Sequence, residues 1–137
     1  MDRTAVSELV NRFYASRMAN DVEEVAALFS DTAHIELAGD ADDPSLNRAE
    51  QSPSGINAFL NVLVGTWTWH GIDMQSLLID EDKVATRYRL DVTHVPSGQR
   101  LSTHVSDHIE ITDGVISSFV EFVDTGLVER LSAGTAG

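Results

Sequence analysis

The chain has 137 residues, 42% of them hydrophobic, which suits one domain with a core of ordinary size. It contains no cysteine, which excludes a disulfide framework, a thiolate metal site and a thiol nucleophile. Twenty-two acidic residues against nine basic ones give a formal charge of −13, which argues against nucleic acid and against anionic membranes as partners.

From the N-terminus, Val6, Leu9, Val10, Phe13, Tyr14 and Met18 recur at spacings of three and four and predict a helix over residues 4–18. Asn20-Asp21 caps a second helix, with Val22, Val25, Ala26, Leu28 and Phe29 inward and Glu23-Glu24 at its positive end. A short strand is expected over 33–38. The acidic, polar stretch after it is longer than the usual connection, and residues 40–52 are expected to form a flexible acidic loop. A third helix follows over 54–65, with Ile56, Phe59, Leu60, Leu63 and Val64 on one side. The longest uncharged run, 52–72, is broken by Pro53, Gly55, Asn57, Asn61, Gly65 and His70, unlike a membrane span. Met1-Asp2-Arg3-Thr4 carries no apolar signal core, so a soluble, cytoplasmic protein is expected. Four strands are predicted near 68–79, 83–95, 99–111 and 115–124, then a short helix near 126–131 and a disordered tail over 132–137. The whole of 1–137 reads as a single domain.

Pro96-Ser97-Gly98 suits a three-residue hairpin loop, with glycine in the left-handed position. That register pairs Val95 with Gln99 and sets Arg87 opposite Asp107, Arg89 opposite Val105 and Asp91 opposite Thr103. Arg87, Arg89, Asp91, Asp107 and Glu121 all hold odd positions of otherwise apolar strands. If that surface is the inside of a bent sheet, charges of both signs sit in an apolar hollow, which is costly unless they are paired. The arrangement is therefore either a functional site or a structural ion-pair ladder. Thr112-Asp113-Gly114 marks a second hairpin, whose two- and three-residue versions give the last strand opposite parity. Glu121 faces in beside Phe119, or out with Ile116, Val120 and Phe122 inside.

Helix, helix, strand, helix and a curved meander make an α+β plan: three N-terminal helices on a strongly curved mixed or antiparallel sheet, enclosing a conical cavity. His104 and His108 share a face but lie about 13 Å apart at strand rise, too far to bind one ion, so no metal site is expected. No Gly-rich phosphate cradle and no Gly-x-Ser-x-Gly elbow occurs, which leaves a reaction without a cofactor. Trp67 and Trp69 fall at the passage from helix to strand, one ring in the core and the other at the mouth or a subunit surface.

Phe13-Tyr14 through Asn20-Asp21, Val25-Ala26-Ala27-Leu28-Phe29-Ser30-Asp31, Gly55-Ile56 with Phe59-Leu60, Ile111-Thr112-Asp113-Gly114-Val115-Ile116 and Phe122-Val123-Asp124-Thr125 resemble the SnoaL-like branch of the ketosteroid-isomerase and nuclear-transport-factor-2 superfamily. The resemblance implies that superfamily's cone, a cystatin-like α+β barrel. It also implies a homodimer and a cofactor-independent acid/base reaction on a small hydrophobic molecule, of isomerase, cyclase or hydrolase type. A non-catalytic ligand-binding or dimerisation domain is the alternative, since fold does not settle function.

By resemblance, Asp107 matches the strand acid of ketosteroid isomerases, whose helical tyrosine looks like Phe13 and whose base looks like Leu37. Tyr14 is one residue away, a rotation of about 100° on a helix, so steroid-type isomerisation is disfavoured. Glu121 matches the single last-strand acid of SnoaL-type cyclases. Arg89-Leu90-Asp91 looks like the Arg-x-Asp of limonene-epoxide-hydrolase-like enzymes, in which two carboxyls divide acid and base work around an arginine. His34 and Glu36 stand where those hydrolases orient a water. The candidate catalytic residues are thus Glu121, Asp91, Arg89, His34 and Asp107. The candidate substrate-binding residues are Tyr14, Phe13, Glu36, Phe59, Trp67, Trp69, His70 and Phe119.

Overall fold

The computed structural model of the protein describes residues 1–39 and 48–136. Helix α1, Arg3–Met18, starts where the Asp2 carboxylate accepts from the Ala5 amide at 2.8 Å. It ends at Asn20, whose left-handed backbone (φ 54°) turns its carboxamide onto Trp69, accepting from the amide at 2.9 Å and donating to the carbonyl at 3.2 Å. Helix α2, Val22–Ala27, is capped by Asp21, and α3, Pro53–Thr66, by Ser52 with proline in its first turn. The strands are β1 (Phe29–Ala38), β2 (Arg48–Glu50), β3 (Trp67–Asp80), β4 (Lys83–His94), β5 (Gln99–Thr112) and β6 (Val115–Phe122), followed by α4 (Thr125–Ala136).

Three boundaries differ from the sequence expectation. Helix α2 ends at Ala27 and β1 already begins at Phe29, a residue expected in the second helix, rather than at residue 33. Of the loop expected over 40–52, residues 40–47 lie outside the described residues, while Arg48–Glu50 pairs antiparallel with β1. The tail expected from 132 is instead the end of α4, which Asp124 caps at the Leu127 amide (3.0 Å) and buried Leu131 anchors; residue 137 lies outside the described residues.

The strands form one sheet in the order β2-β1-β6-β5-β4-β3, mixed because β1 and β6 run parallel. Register shifts in β3 between Trp69 and Gly71 and between Met74 and Ser76 mark bulges, and bulges bend a strand. The concave face takes the helices. Along it the side chains form layers. A floor of Val84, Ile109, Ile111, Ile116, Phe119 and Ile35 packs beneath Phe13 and Phe29. Thr86, Tyr88, Asp107 and Glu121 come next, and Leu90, Val92, Thr103, Val105 and Leu37 line the space above them.

Both hairpins settle which residues face in. The β4–β5 loop has four residues, Val95 to Gly98, and pairs His94 with Gln99. Ser97 Oγ bonds His94 Nδ1 at 2.8 Å and accepts from the Gln99 amide at 3.2 Å, and Gly98 takes the left-handed turn (φ 70°). This one-residue slip from the expected Val95–Gln99 register sends Arg87, Arg89 and Asp91 to the outer face, opposite Ser106, His104 and Ser102. The β5–β6 turn has two residues, Asp113 and Gly114, both left-handed (φ 53° and 80°). A register shift after Ile111–Ile116 makes Ser117 an extra residue. Ile116 therefore faces in, and so do Phe119 and Glu121, while Phe122 is exposed. Parity alone permits one set or the other; the bulge delivers parts of both.

Candidate active site

The middle layer of the cone is a closed polar cluster. Helix α1 contributes Tyr14 and Arg17, three residues apart and so on one helical face. Asp107 and Glu121 stand opposite each other across β5 and β6. Asp107 is 0% exposed, Glu121 5% and Arg17 2%. Asp107 Oδ2 accepts from the hydroxyls of Tyr14 and Tyr88, each at 2.7 Å. Tyr14 has thereby used its proton, so in its 2.7 Å bond to Thr86 Oγ1 the threonine donates. Burial and the Asp107 charge push both phenols well above their ordinary range, which keeps them donors.

Glu121 faces Asp107 across the strand pair, and both carboxyls are buried. Two buried carboxyls side by side resist ionising together. Burial pushes both carboxyls up, and burial followed by the Asp107 charge pushes Glu121 well above the usual carboxyl range, so the pair keeps a proton with Glu121 its favoured holder. Arg17 offsets the remaining negative charge; burial lowers its pKa and the carboxyl pair opposes that. Its guanidinium lies over the Trp69 ring, 4.3 Å from the centroid, and the Asn20 clamp fixes the Trp69 main chain.

Above the layer lies a cavity of about 60 Å³, walled by Leu63, Trp67, Trp69, Leu90 and Val92 and covered by Leu127 and Val128 of α4. Glu121 and Arg17 stand in its lining, at the base of this largely apolar space. A carboxylic acid held neutral in such a place is a proton donor, and its ionised form is a strong base. Among the described residues no group of three or more His, Asp or Glu could hold a metal ion, and no helix is long and apolar enough to cross a membrane.

The sequence model of the SnoaL-like domain matches residues 10–119, most of the chain. The chain belongs to the SnoaL-like family. No curated protein matches it. Among solved structures, this SnoaL-like domain is similar to a Bacillus subtilis protein named as a putative isomerase (TM-score 0.82, 15% identity, 98% of this chain and 97% of that one). It is also similar to SalBIII, an epoxide hydrolase/cyclase-like enzyme in pyran ring formation in the polyether salinomycin (0.73, 20%, 90% and 93%). A de novo designed protein with a curved β-sheet matches as well (0.68, 13%, 97% and 96%). At these identities the likeness is one of fold, shared by isomerase- and cyclase-type proteins and by a design alike.

Within this SnoaL-like domain the predicted site residues separate. Glu121, Trp67 and Trp69 line the cavity, and Asp107 and Tyr14 lie behind Glu121. Tyr14 reaches Asp107 despite the expected rotation, because α1 turns that face, not the Phe13 face, to the polar layer. Phe13 and Phe119 are packed with Phe29 in the floor, and Phe59 is buried in the core. The rest point away. Asp91 takes a bidentate contact from Arg100 (2.8 and 3.0 Å), Arg89 is exposed, and Arg87 donates to Gln75 at 2.7 Å rather than to Asp107. His34 and Glu36 bond each other at 3.1 Å on the outer side of β1, and His70 bonds Thr93 Oγ1 at 2.7 Å. The hydrolase-like trio is thus dismantled by the hairpin slip. Asp91→Asn and Arg89→Gln should leave turnover within a factor of two and stability within about 0.5 kcal/mol, read by rate and thermal melting. Arg17 and Tyr88 were missed. Arg17 continues the stripe Val10, Phe13, Tyr14 at helical spacing, a charge in an apolar face, and Tyr88 sits at an even position next to the charges that drew attention.

Proposed function

We propose that the protein is a cofactor-independent proton-transfer enzyme of isomerase or cyclase type, acting on a small hydrophobic molecule in the cavity. The observation that carries this reading is Glu121, a buried carboxyl in the cavity lining that faces Asp107 across β5 and β6. One proton shared by two carboxyls lets Glu121 serve both ways. With the proton on Glu121 it is the acid; with the proton shifted to Asp107 it is the base. The two tyrosines fix Asp107, and Arg17 keeps the pair's single charge compensated. The test is a turnover screen over enones and ketones, parent against Glu121→Gln. Equal activity on every responsive compound would leave a binding domain instead.

We also propose that a second copy is a partner. Leu78, Ala85, His108 and Val120 form one cross-strand row on the outer face of β3 to β6, with exposed Phe122 in the row beside it. Sedimentation equilibrium at micromolar concentration should show a dimer for the parent and a monomer for Phe122→Asp. A monomeric parent overturns this assignment.

A further inference from the structure

Arg17 has donors that the protein does not use. Among the described residues it enters no ion pair, and Nη1 has no hydrogen-bond partner, although the side chain is 2% exposed. The other buried atom in that condition, Asp107 Oδ1, belongs to the carboxyl that faces Glu121 across the strand pair. A buried guanidinium without acceptors is costly, and this one stands beside Glu121 in the cavity wall, oriented by Trp69. The oxygen-binding pair that the family resemblance implies, a helical tyrosine with the strand acid, is closed on itself here. Tyr14 and Tyr88 both donate into Asp107, which does not line the cavity.

Charge selects what Arg17 receives. Arg17 is positive and the carboxyl pair with one proton is negative, so the empty site is neutral. A carboxylate would bury an uncompensated charge, and an ammonium would face the guanidinium. A neutral oxygen that becomes negative only during reaction fits both limits.

We propose that Arg17 is a second catalytic residue, donating to the carbonyl oxygen of a small, neutral ketone or enone and holding it as it becomes an enolate. This rests on Glu121 as the proton carrier. In the step, the shared proton is on Asp107 and the Glu121 carboxylate takes a proton from the carbon beside the carbonyl. The C–H electron pair forms the carbon–carbon double bond, and the carbonyl π pair moves onto oxygen. Both carboxyls are then neutral, and the enolate is paired with Arg17. Return of the proton from Glu121 to another carbon completes an isomerisation and restores the pair. The buried charge sums to zero throughout, the condition under which fixed donors act best in a dry site.

The test uses 4-nitrophenol, whose phenolate mimics the enolate oxygen and absorbs visibly, with 4-nitroanisole as the analogue that cannot ionise. The parent should bind 4-nitrophenol and hold it as phenolate at a pH where the free compound is largely neutral. Arg17→Met should lose the phenolate band and at least tenfold in affinity while 4-nitroanisole binding stays unchanged; Arg17→Lys serves if the methionine variant does not fold and should also lose at least tenfold. Arg87→Met on the outer face is the control. A parent that leaves the bound compound neutral or does not bind it, or a folded Arg17 variant that ionises it as the parent does, overturns the proposal. Glu121→Gln separates the two readings, because Asp107 can still take the phenol's proton and the phenolate should still bind. Phenolate binding lost with Arg17 but turnover unaffected by Glu121→Gln removes only the proton carrier. The converse removes only the oxygen site.

Discussion

Glu121→Gln should lower turnover by about 10²–10⁴-fold while leaving the protein folded, the range expected when one general acid or base is removed. Glutamine matches glutamate in size, so the substitution keeps the packing beside Asp107 and removes the transferable proton. The same substitution changes the response to pH. The folded-state pKa of Glu121 lies above its unfolded value, so its contribution to stability is complete below the unfolded pKa and is lost as pH rises through the folded one. Above about pH 4.3, each pH unit of that window costs up to about 1.4 kcal/mol in the parent and nothing from this position in the variant. Denaturant titrations at several pH values should show the parent's stability falling with rising pH and the variant's profile flatter. Parallel profiles with undiminished turnover would refute the assignment of the proton to Glu121.

Asp107→Ala should be the most destabilising single change in the site, by about 3–5 kcal/mol. It removes the acceptor of two buried phenols, and it leaves Arg17 without the anion that compensates it. Asp107→Asn is milder in volume but offers the tyrosines only a neutral acceptor, and should fall between the parent and alanine. Tyr14→Phe together with Tyr88→Phe should recover part of the alanine cost, because the orphaned hydroxyls go with it. A loss below 1 kcal/mol in chemical denaturation would mean that the layer is hydrated, and the acid strength argued for Glu121 would go with it.

The helices and strands were legible because their periodicities are long and clean: the stripe from Val6 to Tyr14, the alternation from Lys83 to His94, the left-handed Asp113-Gly114 turn. Facing was harder. The inward set on β4 depends on whether its hairpin loop has three or four residues, and the choice is made by Ser97, whose hydroxyl joins His94 to Gln99 within the turn. Proline and glycine mark the turn without giving its length. On β6 the extra residue at Ser117 carries no signature stronger than a small polar side chain, yet it decides that Glu121 points inward. Arg17 was overlooked for a different reason: a stripe is read by its apolar members, and a guanidinium lying on a tryptophan ring satisfies the spacing without matching the type.

The layering of the cone divides labour between parts of the chain. Acid strength is set low down, where β5, β6 and α1 meet, whereas the shape of the space above is set largely by Leu63 on α3, Leu37 on β1 and Leu127 and Val128 on α4. Substitutions in that upper wall can retailor which molecule is admitted without retuning the proton donor beneath it. One scaffold can in this way diversify its clientele by changing its ceiling while its chemistry stays anchored in the polar layer below.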